Sequence, residues 1–249
     1  MPLCPTSQGE VFHQVLGSGP PLVLLHADAA SGIEYASVTD WLSQQFQVIV
    51  VDNPGCGRSP RREFSHEYYQ ENAKAALDVI RSLQDQPAWV IGNGGGAVTA
   101  LWMAILAPAL VKGVVADSFA EFHLTEDIHK DLLAHKEPSQ EMITFWREMN
   151  GEDFGPVISG LDRVFAAMAE EKRSLFNWRL EEVQSRVLAT GSRKDHLISD
   201  LGRRLVSATE QLPRAKLILY PEGGHPSMWS QAEHFWPDAL GFIKGRPSA

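Results

Sequence analysis

Short apolar runs alternate with longer segments of helical periodicity along most of the chain. The short runs predict buried strands at Val11–Leu16, Leu22–His26, Gln47–Val51, Ala88–Ile91, Gly113–Ala116, Arg186–Thr190 and Lys216–Tyr220. The periodic segments predict helices near Val38–Gln45, Glu67–Leu83, Gly95–Leu106, Ile198–Gln211 and Trp229–Ile243. This alternation is typical of a mostly parallel central sheet with helices on both faces. The predicted fold class is therefore α/β.

The alternation stops between Phe119 and Val183, where amphipathic helical patterns continue without a convincing strand. This stretch predicts a helical insertion into the α/β domain. We expect the aromatic side chains of this stretch either to line a pocket or to form a small core of the insertion. They are Phe122, Phe145, Trp146, Phe165, Phe176 and Trp178. Packing in a core is the more frequent role of any single buried aromatic residue.

Composition narrows the class of protein. The 249 residues include 22 Lys and Arg against 31 Asp and Glu, a net charge of −9, which argues against a nucleic-acid partner. A hydrophobic fraction of 44% with 21% charged residues excludes a disordered or fibrous chain. Cys4 and Cys56 are too few for a disulfide framework or a cysteine-built zinc site. We expect a globular protein of a reducing compartment, the cytoplasm.

Targeting and metal signals are weak as well. The first ten residues show neither a basic start nor an apolar run, so they predict no secretory signal. The longest apolar stretch, Ala97–Val111, is shorter than the roughly 20 residues that span a bilayer, and no membrane partner is expected. His123, His129 and His135 fall on different faces of a helix, so they predict no metal site.

A glycine cluster lies between a predicted buried strand and a predicted helix, in the segment Trp89–Ala97. One interpretation is a dinucleotide fingerprint, formed by Gly92, Gly94 and Ala97 with Asp117 after the next strand. That motif normally follows the first strand of its domain, whereas three predicted strands precede it here. The other interpretation is the nucleophile elbow G-x-S-x-G, in which a tight turn lifts a nucleophile above the sheet. Gly94 stands where its serine would be.

Polar motifs elsewhere favour the elbow. His26-Ala-Asp28 follows the second predicted strand, and Asp52-Asn-Pro-Gly-Cys-Gly-Arg-Ser59 follows the third. Near the C-terminus, Gly-Ser-Arg-Lys-Asp195 and Gly-Gly-His225 each follow a strand. The order of elbow, acid and histidine places these groups at the carboxyl ends of strands, where α/β sheets carry their sites.

With these motifs in order, the sequence resembles the α/β-hydrolase family from about Val11 to Ile243. The resemblance implies a core domain of residues 1–118 and 184–249 and a helical cap of residues 119–183. It implies that Asp195 orients His225 and that His225 acts as a general base. It assigns oxyanion donors to the backbone N–H of Gly95 and to that of Ala27 or Asp28. It implies a small-molecule substrate and no cofactor, and we expect Trp146 and Trp178 to line the substrate pocket.

Two residues depart from the family pattern. Gly94 has no side chain, so the covalent acyl-enzyme route is closed to this chain. Asp28 would oppose developing negative charge if its side chain pointed into the site, and a solvated or backbone-bonded turn residue is the expected role.

We also expect a hydrogen bond between Asp195 and His225, with Asp117 as the reserve acid.

Three functions stay open on these residues. The first is an inactivated or substrate-trapping hydrolase of a small, rather apolar ester, lactone, amide or C–C bond substrate. The second is a non-catalytic ligand-binding or signalling protein. The third is a lyase or cofactor-independent oxygenase that needs only the His225–Asp195 pair. Fold resemblance does not separate them.

Overall fold

The computed structural model describes residues 3–83 and 86–245. Its sheet contains β1 (Leu3–Thr6), β2 (Gly9–Leu16), β3 (Pro21–Leu25), β4 (Gln47–Val51), β5 (Ala88–Asn93), β6 (Val111–Asp117), β7 (Arg186–Ser192) and β8 (Ala215–Tyr220). Their order across the sheet is β1-β2-β4-β3-β5-β6-β7-β8. β2 pairs antiparallel with β1 and β4, and the remaining pairs are parallel. The predicted α/β class with a mostly parallel sheet is confirmed.

The helices are α1 (Ala36–Leu42), α2 (Tyr68–Leu83), α3 (Gly95–Leu106), α4 (Thr125–Lys136), α5 (Gln140–Asn150), α6 (Gly155–Glu170), α7 (Leu201–Gln211), α8 (Ser227–Ser230) and α9 (Ala232–Ile243). Short 3₁₀ turns lie at Gly32–Tyr35 and Leu180–Glu182. No helix in the described ranges is long and apolar enough to cross a bilayer.

Two elements differ from the sequence-based expectation. β1 was not predicted, because its four residues include Pro5 and it forms an edge of the sheet, where pairing rather than hydrophobic pattern defines a strand. The helix predicted at Trp229–Ile243 is divided into α8 and α9. The chain leaves helical geometry at Gln231, whose φ is −129° and ψ is 34°.

Apolar side chains cover both faces of the sheet. One core cluster joins the sheet to α2, α3 and α7, with Trp102 and Leu205 among its buried members. The other joins it to α1 and α9 through residues such as Leu42 and Phe235. Burial on both faces explains why β3 consists only of buried residues, Pro-Leu-Val-Leu-Leu.

Residues 119–183, which we call the helical insertion, contain α4, α5, α6 and the second 3₁₀ turn. They enter after β6 and return to the sheet at β7. Apolar residues of α6, including Val157 and Leu161, join the core cluster on the α3 side of the sheet. Residues of the insertion and of the loops after β5 and β8 line a common cavity.

Candidate active site

The turn from β5 into α3 is built by glycine. Gly94 has φ 50° and ψ −121°, in the region that side chains rarely adopt. A Cβ atom on Gly92 would lie 2.3 Å from the Gly96 carbonyl oxygen, and one on Gly96 would lie 2.1 Å from the Leu25 carbonyl oxygen. Glycine at positions 92 and 96 thus allows the helix to approach the strands closely, while Gly94 marks the apex of the turn.

The loops after β7 and β8 bring Asp195 and His225 together. His225 Nδ1 lies 2.8 Å from Asp195 Oδ2, so the expected hydrogen bond is present. The other oxygen, Asp195 Oδ1, accepts the backbone N–H groups of Leu197 and Ile198 at 2.9 and 2.8 Å. Burial alone would raise the pKa of Asp195, but the hydrogen bond and charge of His225 and these N–H groups hold it below its usual value. An ionised Asp195 fixes the proton of the imidazole on Nδ1.

This arrangement turns the second imidazole nitrogen toward the elbow. His225 Nε2 lies 3.7 Å from the position of a Cβ atom on Gly94, and the Cβ of Ala27 lies 3.7 Å from the same position. Both distances are ordinary van der Waals contacts. A small side chain at residue 94 would therefore fit next to the unprotonated nitrogen of His225.

Asp117, the reserve acid, has another set of partners. Its carboxylate accepts hydrogen bonds from the hydroxyls of Thr190, at 2.7 Å, and Ser227, and from the Met228 N–H at 2.8 Å. Ser227 and Met228 come directly after the His225 loop. Asp117 therefore anchors that loop to β6 and β7.

The proposed oxyanion donors are only partly available. The backbone N–H groups of Gly95 and Asp28 have no hydrogen-bond partner among the described residues. The N–H of Ala27 instead donates to Oε1 of Glu34 at 3.0 Å, so Asp28 is the one of the two alternatives whose N–H stays free. Burial raises the pKa of Glu34 to about 8. The contact forms because the 3₁₀ turn returns Glu34 toward the loop after β3.

The Asp28 side chain also differs from the expectation of a solvated or backbone-bonded turn residue. It lines the cavity, and a Cβ atom on Gly95 would lie 2.1 Å from its Oδ1. Its Oδ2 accepts a hydrogen bond from the Tyr69 hydroxyl at 3.0 Å, and Tyr69 Oη lies 3.3 Å from His123 Nε2. Burial, the largest effect, raises the pKa of Asp28 to about 7. Sequence patterns did not point to Tyr69, and His123 was considered only as a metal ligand, because α2 and the loop after β6 meet only in the folded chain.

Gly94 and His225 form the floor of a mostly apolar cavity of about 310 Å³. The insertion supplies most of the opposite wall, with Trp146 among the lining residues and buried. Trp178 does not line this cavity and is 71% exposed, so its assignment to the pocket is wrong. In its segment Phe176 is the buried residue and packs against Phe119, while the turn directs Trp178 outward.

The described ranges contain no group of three or more His, Cys, Asp or Glu residues arranged to hold a metal ion. Acidic groups do occur in the insertion wall of the cavity. Asp162 accepts a hydrogen bond from His135 Nδ1 at 2.8 Å, and Asp127 lies 3.7 Å from the Arg204 guanidinium. Both carboxylates therefore already have protein partners.

Comparison with known proteins agrees with this geometry. The family model for the alpha/beta hydrolase fold matches residues 20–137. A 2-hydroxy-6-oxo-6-phenylhexa-2,4-dienoate hydrolase of Comamonas testosteroni is 24% identical over 266 residues, covering 95% of this chain and 92% of the relative. These matches agree with an α/β-hydrolase fold for this chain.

Solved structures share the whole architecture. E-2-(acetamidomethylene)succinate hydrolase superposes with a TM-score of 0.79 at 21% identity, covering 98% of each chain. The enol-lactonase of Burkholderia xenovorans LB400 gives a TM-score of 0.76 at 14% identity, covering 98% of this chain and 100% of that one. At these identities the likeness shows the fold, and the chemistry has to be argued from the site.

Proposed function

We propose that this chain is a hydrolase of small, largely apolar carbonyl compounds in which Gly94 occupies the nucleophile position. The observation that carries the proposal is the orientation of the His225 imidazole. Its Nδ1 is bound to Asp195 at 2.8 Å, and its Nε2 lies 3.7 Å from where the Cβ of residue 94 would be. A histidine held in this way is built to take a proton from an oxygen nucleophile.

Without a side chain at residue 94, the remaining route uses water. His225 Nε2 removes a proton from a water molecule, whose oxygen bonds to the carbonyl carbon of the substrate. The negative charge moves to the carbonyl oxygen, next to the N–H groups of Gly95 and Asp28. The tetrahedral intermediate then breaks its bond to the leaving group, which receives the proton from His225. Because no acyl-enzyme forms, we expect this chain to bind substrate well and turn it over slowly.

The cavity supports the substrate class. Its walls are mostly apolar, with the reacting groups at one end and Trp146 in the insertion wall. In this proposal the insertion is the cap that selects the substrate. The relatives are named as hydrolases of dienoates and of (acetamidomethylene)succinate, and structural neighbours include a lactonase and esterases. An ester, a lactone, an amide or a C–C bond next to a carbonyl group is the corresponding substrate here.

The test is a comparison of the wild-type chain with Gly94→Ser. Both forms are assayed with a p-nitrophenyl ester, a γ-lactone and a β-diketone, and His225→Gln is made in each background as the matched control. We expect Gly94→Ser to gain roughly 10³-fold or more in kcat on one substrate class, because a nucleophile and its base act as a unit. The gain should disappear with His225→Gln.

Other outcomes identify the other functions. Equal turnover by both forms, dependent on His225, would indicate a lyase or an oxygenase that needs only the pair. Binding without turnover in either form would indicate a ligand-binding protein. Each of these results would overturn the proposed hydrolase.

A further inference from the structure

The Asp28 carboxyl group lies against Gly95, the residue that follows the apex of the elbow. Its Oδ1 and Oδ2 would lie 2.1 and 2.4 Å from a Cβ atom on Gly95. The carboxyl group is therefore packed against the first residue of α3, beside the N–H that the site offers to an oxyanion. Asp28 also lines the cavity, so this group faces the ligand rather than the solvent outside.

The two oxygens of Asp28 have different surroundings. Oδ2 accepts the Tyr69 hydroxyl at 3.0 Å, while Oδ1 has no hydrogen-bond partner within residues 3–83 and 86–245. Tyr69 in turn lies 3.3 Å from His123 Nε2. Burial lowers the pKa of His123 to about 4, so the ring is neutral near pH 7 and its Nε2–H can donate to Tyr69. These contacts hold Asp28 through Oδ2 at the wall of the cavity.

The backbone next to Asp28 supplies two free donors. Glu34 accepts the Ala27 N–H at 3.0 Å, which leaves the N–H groups of Gly95 and Asp28. A carboxylate at Asp28 would repel an oxyanion at this position. A neutral carboxylic acid would instead provide a further donor, because its O–H can point from Oδ1 to the substrate.

We propose that Asp28 is a substrate-binding residue that acts as a neutral carboxylic acid, donating a hydrogen bond from Oδ1 to the carbonyl oxygen of the ligand. The proton remains on Asp28 throughout, and no bond to the side chain is formed. The catalytic significance of this role rests on the proposed function. The binding interaction itself requires no turnover.

The groups around Asp28 determine its charge. They are the hydroxyls of Tyr68 and Tyr69 on α2, His225 after β8, Glu34 on the 3₁₀ turn and Cys56 after β4. Burial raises the pKa of Asp28 to about 7, against the opposing effects of the Tyr69 hydrogen bond, the His225 charge and the neighbouring Tyr68 hydroxyl. Glu34 and Cys56 have raised pKa values of about 8 and about 12 and are mostly uncharged at neutral pH. No lysine or arginine is among these groups.

The sign of the pH effect follows. Below pH 7 the acid is mostly neutral and donates to an anionic oxygen. As pH rises through its pKa, Asp28 loses the proton and the same oxygen meets a like charge. Binding of an anionic ligand should therefore weaken with increasing pH, although the ligand remains equally charged.

The test measures binding of phenylacetate, an apolar carboxylate, to the wild-type chain by isothermal titration calorimetry. From about pH 7.5 to about pH 9 we expect its affinity to fall roughly tenfold per pH unit. Phenylacetamide, which is neutral, should lose affinity less steeply. Asp28→Asn keeps a donor and cannot titrate, so phenylacetate affinity should fall much less steeply over the same range, and the remaining fall is assigned to Glu34, whose pKa is about 8.

Two further variants identify which group causes the fall in phenylacetate affinity. His225→Gln should keep the fall in affinity, because the proposal assigns the fall to Asp28. Tyr69→Phe removes a hydrogen bond that favours the charged form, so it should move the fall to higher pH. Flat binding by the wild-type chain, an equally steep fall in Asp28→Asn, or no binding of phenylacetate at any pH would overturn the proposal. None of these readouts uses hydrolysis, so failure of the proposed function leaves a distinct result.

Discussion

Substitution of Gly94 by serine should destabilise the fold slightly while it adds a nucleophile. The backbone at Gly94 has φ 50° and ψ −121°, a conformation that costs a residue with a side chain about 1–3 kcal/mol. The new Cβ atom adds little steric cost, because its closest neighbours, Ala27 Cβ and His225 Nε2, lie at 3.7 Å. Serine also restricts the unfolded chain, which offsets about 0.4–1 kcal/mol. The expected net loss is about 1 kcal/mol, or roughly 2–4 °C in Tm.

Urea unfolding followed by tryptophan fluorescence measures this difference. Gly96→Ala, two residues further on, is the matched control, because its Cβ would lie 2.1 Å from the Leu25 carbonyl oxygen and 2.6 Å from that of His26. Backbone atoms on both sides cannot move away, so we expect a loss of several times that of Gly94→Ser. A Gly94→Ser form that is more stable than the wild-type chain, or as damaged as Gly96→Ala, would refute this account of the elbow.

Two further predictions concern stability and the cavity. Asp52 is fully buried and accepts hydrogen bonds from the Arg58 guanidinium at 2.8 and 2.9 Å. Asp52→Ala should therefore lower the free energy of unfolding in urea by about 3–5 kcal/mol. Burial would raise the pKa of Asp52, but those hydrogen bonds hold it below its usual value. The stability that Asp52 contributes is therefore present above about pH 4 and is lost as pH falls through the lowered folded-state pKa. An unchanged midpoint of acid unfolding in Asp52→Asn would contradict this. Trp146→Ala should lower the free energy of unfolding by about 3–5 kcal/mol and change phenylacetate affinity. Trp178, which is 71% exposed, is the control: Trp178→Ala should change the free energy of unfolding by less than about 0.5 kcal/mol and leave the affinity unchanged.

Sequence order was sufficient for the parts of the site that lie at strand ends. The carboxyl ends of parallel strands meet at one edge of the sheet, so Asp195 after β7 and His225 after β8 were expected to be neighbours, and their side chains lie 2.8 Å apart. The glycine spacing likewise located the tight turn at Gly94, where φ is positive. These features depend on local geometry and strand order, which the sequence pattern carries directly.

The errors concern contacts that only tertiary packing decides. Ala27 loses its free N–H because a 3₁₀ turn carries Glu34 back to it. Asp28 enters the cavity because Tyr69, on a helix that begins 40 residues later in the chain, binds its carboxyl group. Trp178 points outward because its segment buries Phe176 instead. Periodicity and motif spacing contain no information on such pairings.

The central claim is that the elbow, His225 and Asp195 form a nucleophile-activating site that lacks only a side chain at residue 94. Reaction with a fluorophosphonate, read by intact-protein mass and peptide mapping, tests it most directly, because this reagent modifies serines that a histidine base activates. We predict stoichiometric labelling of Gly94→Ser at position 94, none of the wild-type chain, and none when His225→Gln is added. Labelling of the wild-type chain, or a Gly94→Ser form that folds normally and stays unlabelled, would contradict the claim.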